Sequence, residues 1–278
     1  MMHYERPKIT TYKPGDVRKY AHLKRDGIMI TVIGHGSQDH MPTCLTRHPD
    51  GAHEIQLGGQ PGDVLYNIRR REFNGALFCE LFAPGEEASQ VKSHLANREY
   101  NSLRMECFAI PSQSANLSLE SLRDYCKVLH VPFVDFERVD CDSVEPFIQA
   151  WSVVTPPDYE GHVFKDGNLL NWCKWKPVLT ADLIIIGYKE GKGKYLGTLG
   201  ALELGIIKLE GDTEYYEHIC NCSGMDDATR DLISENEEKY LGTVIEVTYQ
   251  RRDSAGGLRH PRFKGFREDK GAHECTTI

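Results

Sequence analysis

The chain changes texture at Pro177, and that change limits what it can fold into. Proline has no N–H to give a sheet, so it ends the strand that precedes it. Beyond it, Leu183–Tyr188, Lys194–Leu204, Tyr215–Cys222 and Thr243–Arg251 are strand-like, punctuated by Gly191, Gly193, Gly197 and Gly211 and by a helix near Asp226–Glu237. About five strands and one helix in roughly a hundred residues predict a small closed β-barrel. Before Pro177 the pattern is mixed. Ile28–Ile33, Ala76–Phe82 and Leu103–Ile110 are apolar strands, whereas Val64–Arg71, Ala88–Arg98 and Leu117–Leu129 repeat with helical period. Ser118 and Ser121 supply an N-terminal signal for the last helix. His162–Lys165 and Leu169–Lys176 predict a hairpin turning at Asp166-Gly167-Asn168.

The expected fold class is therefore α+β, with a barrel of the OB type at the C-terminal end. The predicted domains are 1–178 and 179–278, joined by a short connector at Pro177–Asp182. A length of 278 residues accommodates two domains of ordinary size. No apolar run is long enough to span a bilayer, and the first residues lack the apolar stretch of a secretory signal. The expectation is a cytoplasmic protein with no membrane contact. Nine cysteines, an odd number without an export signal, predict reduced thiols rather than a disulfide framework. His218, Cys220 and Cys222 share a strand face, but no second half-site accompanies them, so semi-buried packing is the expected role.

A net charge of −8 argues against indiscriminate nucleic-acid binding. Its distribution is uneven: residues 251–270 hold seven basic side chains against three acidic ones, and 120–146 hold seven acidic against three basic. A local basic face on an acidic protein suits grip and release of a polyanion, and it also suits many other enzymes.

The residues that carry chemistry begin with Lys24-Arg25-Asp26-Gly27. A free lysine amine has a pKa of about 10.4 and is a poor nucleophile near neutrality. It needs desolvation or nearby cations to lose its proton. If residues 23–27 are extended, Lys24 and Asp26 share a face. Lys174 and Lys176, two apart, would share a face of their own strand and supply the cations, with Trp175 turned into the core. Glu80 and Glu160 lie at the edges of apolar strands, where carboxylates suit a hard divalent metal. Carboxylates, metal and lysines suffice for phosphoryl transfer, which needs positioning and charge neutralisation above all.

Taken together and in this order, these segments resemble the ATP-dependent DNA ligases of the covalent nucleotidyltransferase superfamily, in particular the short two-domain ligases of bacteriophages. Lys24 matches the lysine of the family's KxDG motif that becomes adenylylated. Glu80, in Leu77-Phe78-Cys79-Glu80-Leu81, matches a motif-ending glutamate, and Phe108, in Glu106-Cys107-Phe108, matches an aromatic that stacks on adenine. Glu160 to Lys165 matches EGxxxK, and Lys174-Trp175-Lys176 the lysine pair that follows it. Gly257–Phe263 and Arg267-Glu268-Asp269-Lys270 are similar to the family's last motif, and Thr46-Arg47 to an arginine-bearing strand end that contacts nucleotide or DNA phosphate. Two positions depart from the pattern: Met29 stands where an arginine touches ribose, and His22 where a glutamate reads the adenine amino group.

The resemblance implies an adenylyltransferase domain built on ATP-grasp-like antiparallel sheets, followed by an OB-fold domain. It also implies a monomer that uses ATP and magnesium or manganese to seal nicked duplex DNA. Lys24, Lys174, Lys176, Arg267 and Lys270 would be catalytic. Arg47, Glu80, Phe108, Glu160 and Lys165 would bind the nucleotide with them, Glu80 and Glu160 through the metal. Arg47, Arg259, Arg262 and Lys264 would contact DNA. No DNA-encircling domain precedes Lys24 and no zinc ribbon or helix-hairpin-helix module follows, so ATP rather than NAD is the expected donor. An RNA ligase or an mRNA capping guanylyltransferase shares most of these motifs, and a non-catalytic OB-type nucleic-acid binder is the alternative from a different class.

Overall fold

The computed structural model describes residues 9–13, 19–48, 51–111, 118–139, 159–166, 168–253 and 255–278. The chain divides into two compact units, Met1–Lys176 and Pro177–Ile278.

The first unit holds β1 (Ile9–Thr11), β2 (Tyr20–Arg25), β3 (Ile28–His35), β4 (Thr43–His48), β5 (Gly51–Glu54), α1 (Gly59–Arg70), β6 (Asn74–Phe82), α2 (Ala88–Asn97), β7 (Arg104–Ala109), α3 (Leu119–Leu129), β8 (Glu137–Arg138), β9 (Tyr159–Asp166) and β10 (Asn168–Trp175). Two five-stranded sheets result, ordered β1-β10-β9-β2-β8 and β5-β4-β3-β6-β7. All pairings in them are antiparallel except β1 with β10. One apolar cluster takes Val163 and Trp172 from the first sheet, Ile30, Val32, Phe78 and Leu81 from the second, and Ile68 and Leu122 from helices. Enclosing each such leucine or phenylalanine contributes roughly 1.5–3 kcal/mol. α3 shows the sequence logic plainly: Leu119, Leu122, Cys126 and Leu129 are its buried stripe, and Ser118 caps it by accepting from the Ser121 N–H at 3.2 Å. Leu117 and the central Gly167 of the expected turn lie outside the described residues.

Two glycines permit close approach of backbones. A Cβ on Gly27 would stand 2.4 Å from the Leu81 carbonyl oxygen, so β2 can turn into β3 against β6 only without a side chain there. Gly161 has φ +151°, and a Cβ on it would lie 2.1 Å from the Trp175 carbonyl oxygen.

The second unit holds β11 (Leu179–Glu190), β12 (Leu199–Glu210), β13 (Thr213–Cys222), α4 (Asp227–Ser234), α5 (Glu237–Tyr240), β14 (Val244–Tyr249) and β15 (Arg262–Phe266). The strands form one sheet in the order β13-β12-β11-β14-β15. Leu183, Leu204, Ile206, Cys222, Ile233, Ile245 and Val247 are among its core residues. The expected closed barrel is replaced by a looser arrangement. Among the described residues, the end of β13 meets β15 at an isolated bridge, Ser223 with Arg262, and not along a ladder. The physical reason is that Thr213–His218 is exposed, running out with β12 as a solvated hairpin. The expected connector is also shorter, because Leu179–Asp182 already pair with Tyr249–Glu246 of β14.

Candidate active site

Glu160, at the start of β9, gathers two lysines. One carboxylate oxygen accepts from Lys24 Nζ and the other from Lys176 Nζ. Lys24 reaches it from β2, where the ladder with β9 slips between Lys24 and Arg25. Lys176 reaches it from just beyond β10. The Glu160 side chain is only 10% exposed, so this bridge is largely screened from water. Lys174 makes no ion pair among the described residues, and its carbonyl accepts from the Tyr12 N–H at 2.9 Å.

Glu80 approaches from β6, opposite Met29 of β3, and accepts from the Gly27 N–H. Burial, together with Glu160 and Asp26, pushes its carboxyl up to about 7 against the pull of Lys24. Asp26 is itself buried. Burial alone would lower the Lys24 pKa, yet Glu160 and Glu80 raise it above its ordinary value. Of the two expected cations Lys176 lies across Glu160 from Lys24, but a carboxylate stands directly against Lys24 and holds its proton. The same pairing keeps Glu160 ionised, its pKa lowered by Lys24 and Lys176 although burial would raise it.

Other expected residues fall elsewhere. Lys165 is fully buried, donates to the Phe108 carbonyl at 3.0 Å and sits 4.0 Å from the Trp172 ring. Burial lowers its pKa to about 7. Phe108 packs edge-on against Trp172 at 5.7 Å. Arg47 lies on β4 opposite Ala52, and its side chain is outside the described residues. In the second unit, Arg267 gives Nη1 to both oxygens of Asp182, at 2.8 and 2.9 Å, and Nε and Nη2 to Asp269, each at 2.9 Å. Lys270 joins Asp182 at 2.9 Å. Lys264 pairs with Glu246 at 2.8 Å, Arg262 is exposed on β15, and the Arg259 N–H donates to the Arg251 carbonyl at 2.9 Å.

Three residues take on structural weight only in the fold. Arg25 makes a two-pronged contact with Glu106, at 2.9 and 3.2 Å, between the rings of Phe82 and Tyr159 at 4.0 and 4.2 Å. It thereby ties the Lys24 strand to β6 and β7. Asp182 was detectable as the one acid immediately before the apolar run Leu183–Ile186. His22 is buried, and its Nε2 finds no partner among the described residues. Burial, then Lys165 and Lys24, hold its ring well below the ordinary histidine pKa, so it is neutral.

This geometry can be set beside known proteins. Residues 190–267 match the family described as DNA ligase OB-like domain. A probable DNA ligase of Pseudarthrobacter chlorophenolicus is 33% identical over 132 residues, covering 39% of this chain and 26% of the relative. The DNA ligase of Enterobacteria phage T3 is 32% identical over 111 residues, covering 38% and 30% respectively. The chain thus spans less than a third of the length of these curated relatives. Among solved structures, one from a structure-function study of Lig E DNA ligases superposes with a TM-score of 0.63 at 16% identity, covering 94% of this chain and 98% of that one. Another, named Pmar-Lig_Pre., gives 0.67 at 18% identity, covering 95% and 68%. The fold is the one these solved ligase structures share. In sequence the chain is similar to DNA ligases over part of its length, and residues 190–267 of its second unit match the DNA ligase OB-like domain.

Proposed function

We propose that this protein is an ATP-dependent DNA ligase that seals nicks in duplex DNA. The Lys24–Glu160–Lys176 bridge beside Glu80 carries the proposal, since it collects the nucleophile, a counter-charge and a second cation in one partly buried place. We assign the first unit as the adenylation domain and the second as the OB domain. Lys24 Nζ, once deprotonated, attacks the α-phosphate of ATP. A P–N bond forms, the bond to the bridging oxygen breaks, and pyrophosphate leaves. AMP then passes to the 5′-phosphate of a nick, and the 3′-hydroxyl displaces it.

Lys176 supports charge neutralisation at the phosphates, and Lys174 is assigned there with it. Arg267 and Lys270 are assigned to the pyrophosphate, Arg47, Arg259, Arg262 and Lys264 to nucleic-acid phosphates. The unpartnered Nε2 of buried, neutral His22, two residues from Lys24 on the same strand, supports a nucleoside bound alongside. Phe108 and Lys165 serve the nucleotide only after repacking away from Trp172, because both are enclosed as they stand.

Glu80 and Glu160 fit a magnesium or manganese ion: they are hard oxygen donors crowded enough to raise the Glu80 pKa. No group of three metal-capable side chains forms among the described residues. The ion would supply charge neutralisation and would relieve the hold of Glu160 on Lys24. Among the described residues no helix is long and apolar enough to cross a membrane. We further propose a cytoplasmic monomer.

The test is covalent labelling. Incubation with α-labelled ATP should attach label to wild-type protein, and Lys24→Ala should abolish it. A labelled Lys24→Ala variant, or sealing of nicked RNA or use of GTP in preference to nicked DNA and ATP, would refute the proposal.

A further inference from the structure

Arg267 and Lys270 are not open cations. The guanidinium spends its Nη1 on both oxygens of Asp182 and its other face, Nε and Nη2, on Asp269. Lys270 donates to the second Asp182 oxygen. Two cations thus meet two carboxylates, and the cluster is formally neutral. Its members differ in enclosure: Asp182 is 17% exposed and Asp269 70%. Asp182 is also fixed in a strand, paired across to Glu246, whereas Asp269 lies in the turn after β15.

We propose that Asp182 is the built-in counter-ion of a polyphosphate site formed by Arg267 and Lys270, and that a bound polyphosphate takes its place. This rests on the assignment of the two cations given above and adds the residue that sets how tightly they hold their ligand. The chemistry is competition between like acceptors. A carboxylate and a phosphate both take the parallel N–H pair of a guanidinium, and a lysine adds a point charge to either. Pyrophosphate carries more charge than one aspartate, so it can displace Asp182. The aspartate nevertheless weakens its hold and favours its release. Because Asp182 serves both cations, it outweighs Asp269, which touches Arg267 alone and is largely solvated.

The experiment titrates inorganic pyrophosphate into the full-length chain by calorimetry at low ionic strength. Asp182→Asn should lower the dissociation constant about five- to tenfold relative to wild type. Arg267→Ala in that background should cancel the gain. Asp269→Asn should tighten binding by a smaller factor. Thermal unfolding checks that the near-isosteric Asn variant stays folded, and Asp182→Ser provides a second uncharged replacement. Weaker or unchanged binding in folded Asp182 variants, or no pyrophosphate binding by any of the proteins, would overturn the proposal. Loss of covalent labelling in wild type, with the Asp182 effect intact, would instead strike the ligase assignment and leave the polyphosphate site standing.

Discussion

Both units place one carboxylate between two cations, and the two bridges differ in what surrounds them. Around Glu160, further carboxylates crowd in: Glu80 and Asp26 share the space, with burial strong enough to push Glu80 up to about 7. Beside Asp182 the further carboxylate on Arg267 is Asp269, facing water. The first bridge is therefore a largely buried site with an excess of acid, which fits the divalent cation proposed for it. The second is a charge-balanced network nearer the surface, which fits the anion proposed for it. The same motif of charges is proposed to serve opposite ligands, because burial and the neighbouring carboxylates differ.

Removing the acid should have opposite consequences at the two bridges. Glu160→Gln should slow covalent labelling by roughly a hundredfold, since a preorganised charged group is lost from a partly buried site, and should raise the metal concentration needed. Labelling at wild-type rate would break the contrast with Asp182→Asn, for which tighter ligand binding is expected. A smaller effect concerns pH. Glu80 is neutral below its pKa of about 7 and ionised above it, so labelling should rise through pH 7 as this carboxylate becomes available. Glu80→Gln should remove that limb of the profile. Persistence of the limb in the variant would show that another group titrates there.

The smallest expected change is in stability. Burial lowers the Lys165 pKa from its ordinary value to about 7, so the unfolded chain binds the extra proton between about pH 7 and 10.5. Stability of the wild type should therefore rise with pH across that window. Lys165→Met should flatten the rise in thermal denaturation midpoint. An unchanged slope would mean that Lys165 leaves the core in solution.

Much of the scaffold was legible from local chemistry. The α3 stripe follows from apolar residues three and four apart, the strand of Glu80 from an apolar run, and Gly27 from its place in Lys24–Gly27. The Lys24, Glu80 and Glu160 set was found by the order of motifs. The partners of these groups were not found, because a charge selects its neighbour in space. Lys165 illustrates this: nothing in Glu160–Lys165 announces that its amine will lie over Trp172 rather than beside Glu160. Arg25 is clamped by Glu106, Phe82 and Tyr159, residues 57 to 134 positions distant in the sequence.

The amino-acid order alone determined the α+β composition, the change of character at Pro177 and which lysines and carboxylates are proposed for phosphoryl chemistry. These depend on periodicity, on backbone constraints at glycine and proline, and on functional groups each residue carries wherever it lies. Only the tertiary structure decided that Glu160 stands between Lys24 and Lys176, that Asp182 occupies Arg267 and Lys270, and that Lys165 is enclosed. Protonation and pairing depend on desolvation and on Coulomb terms that fall with distance, and both are set by which distant segments the fold brings into contact.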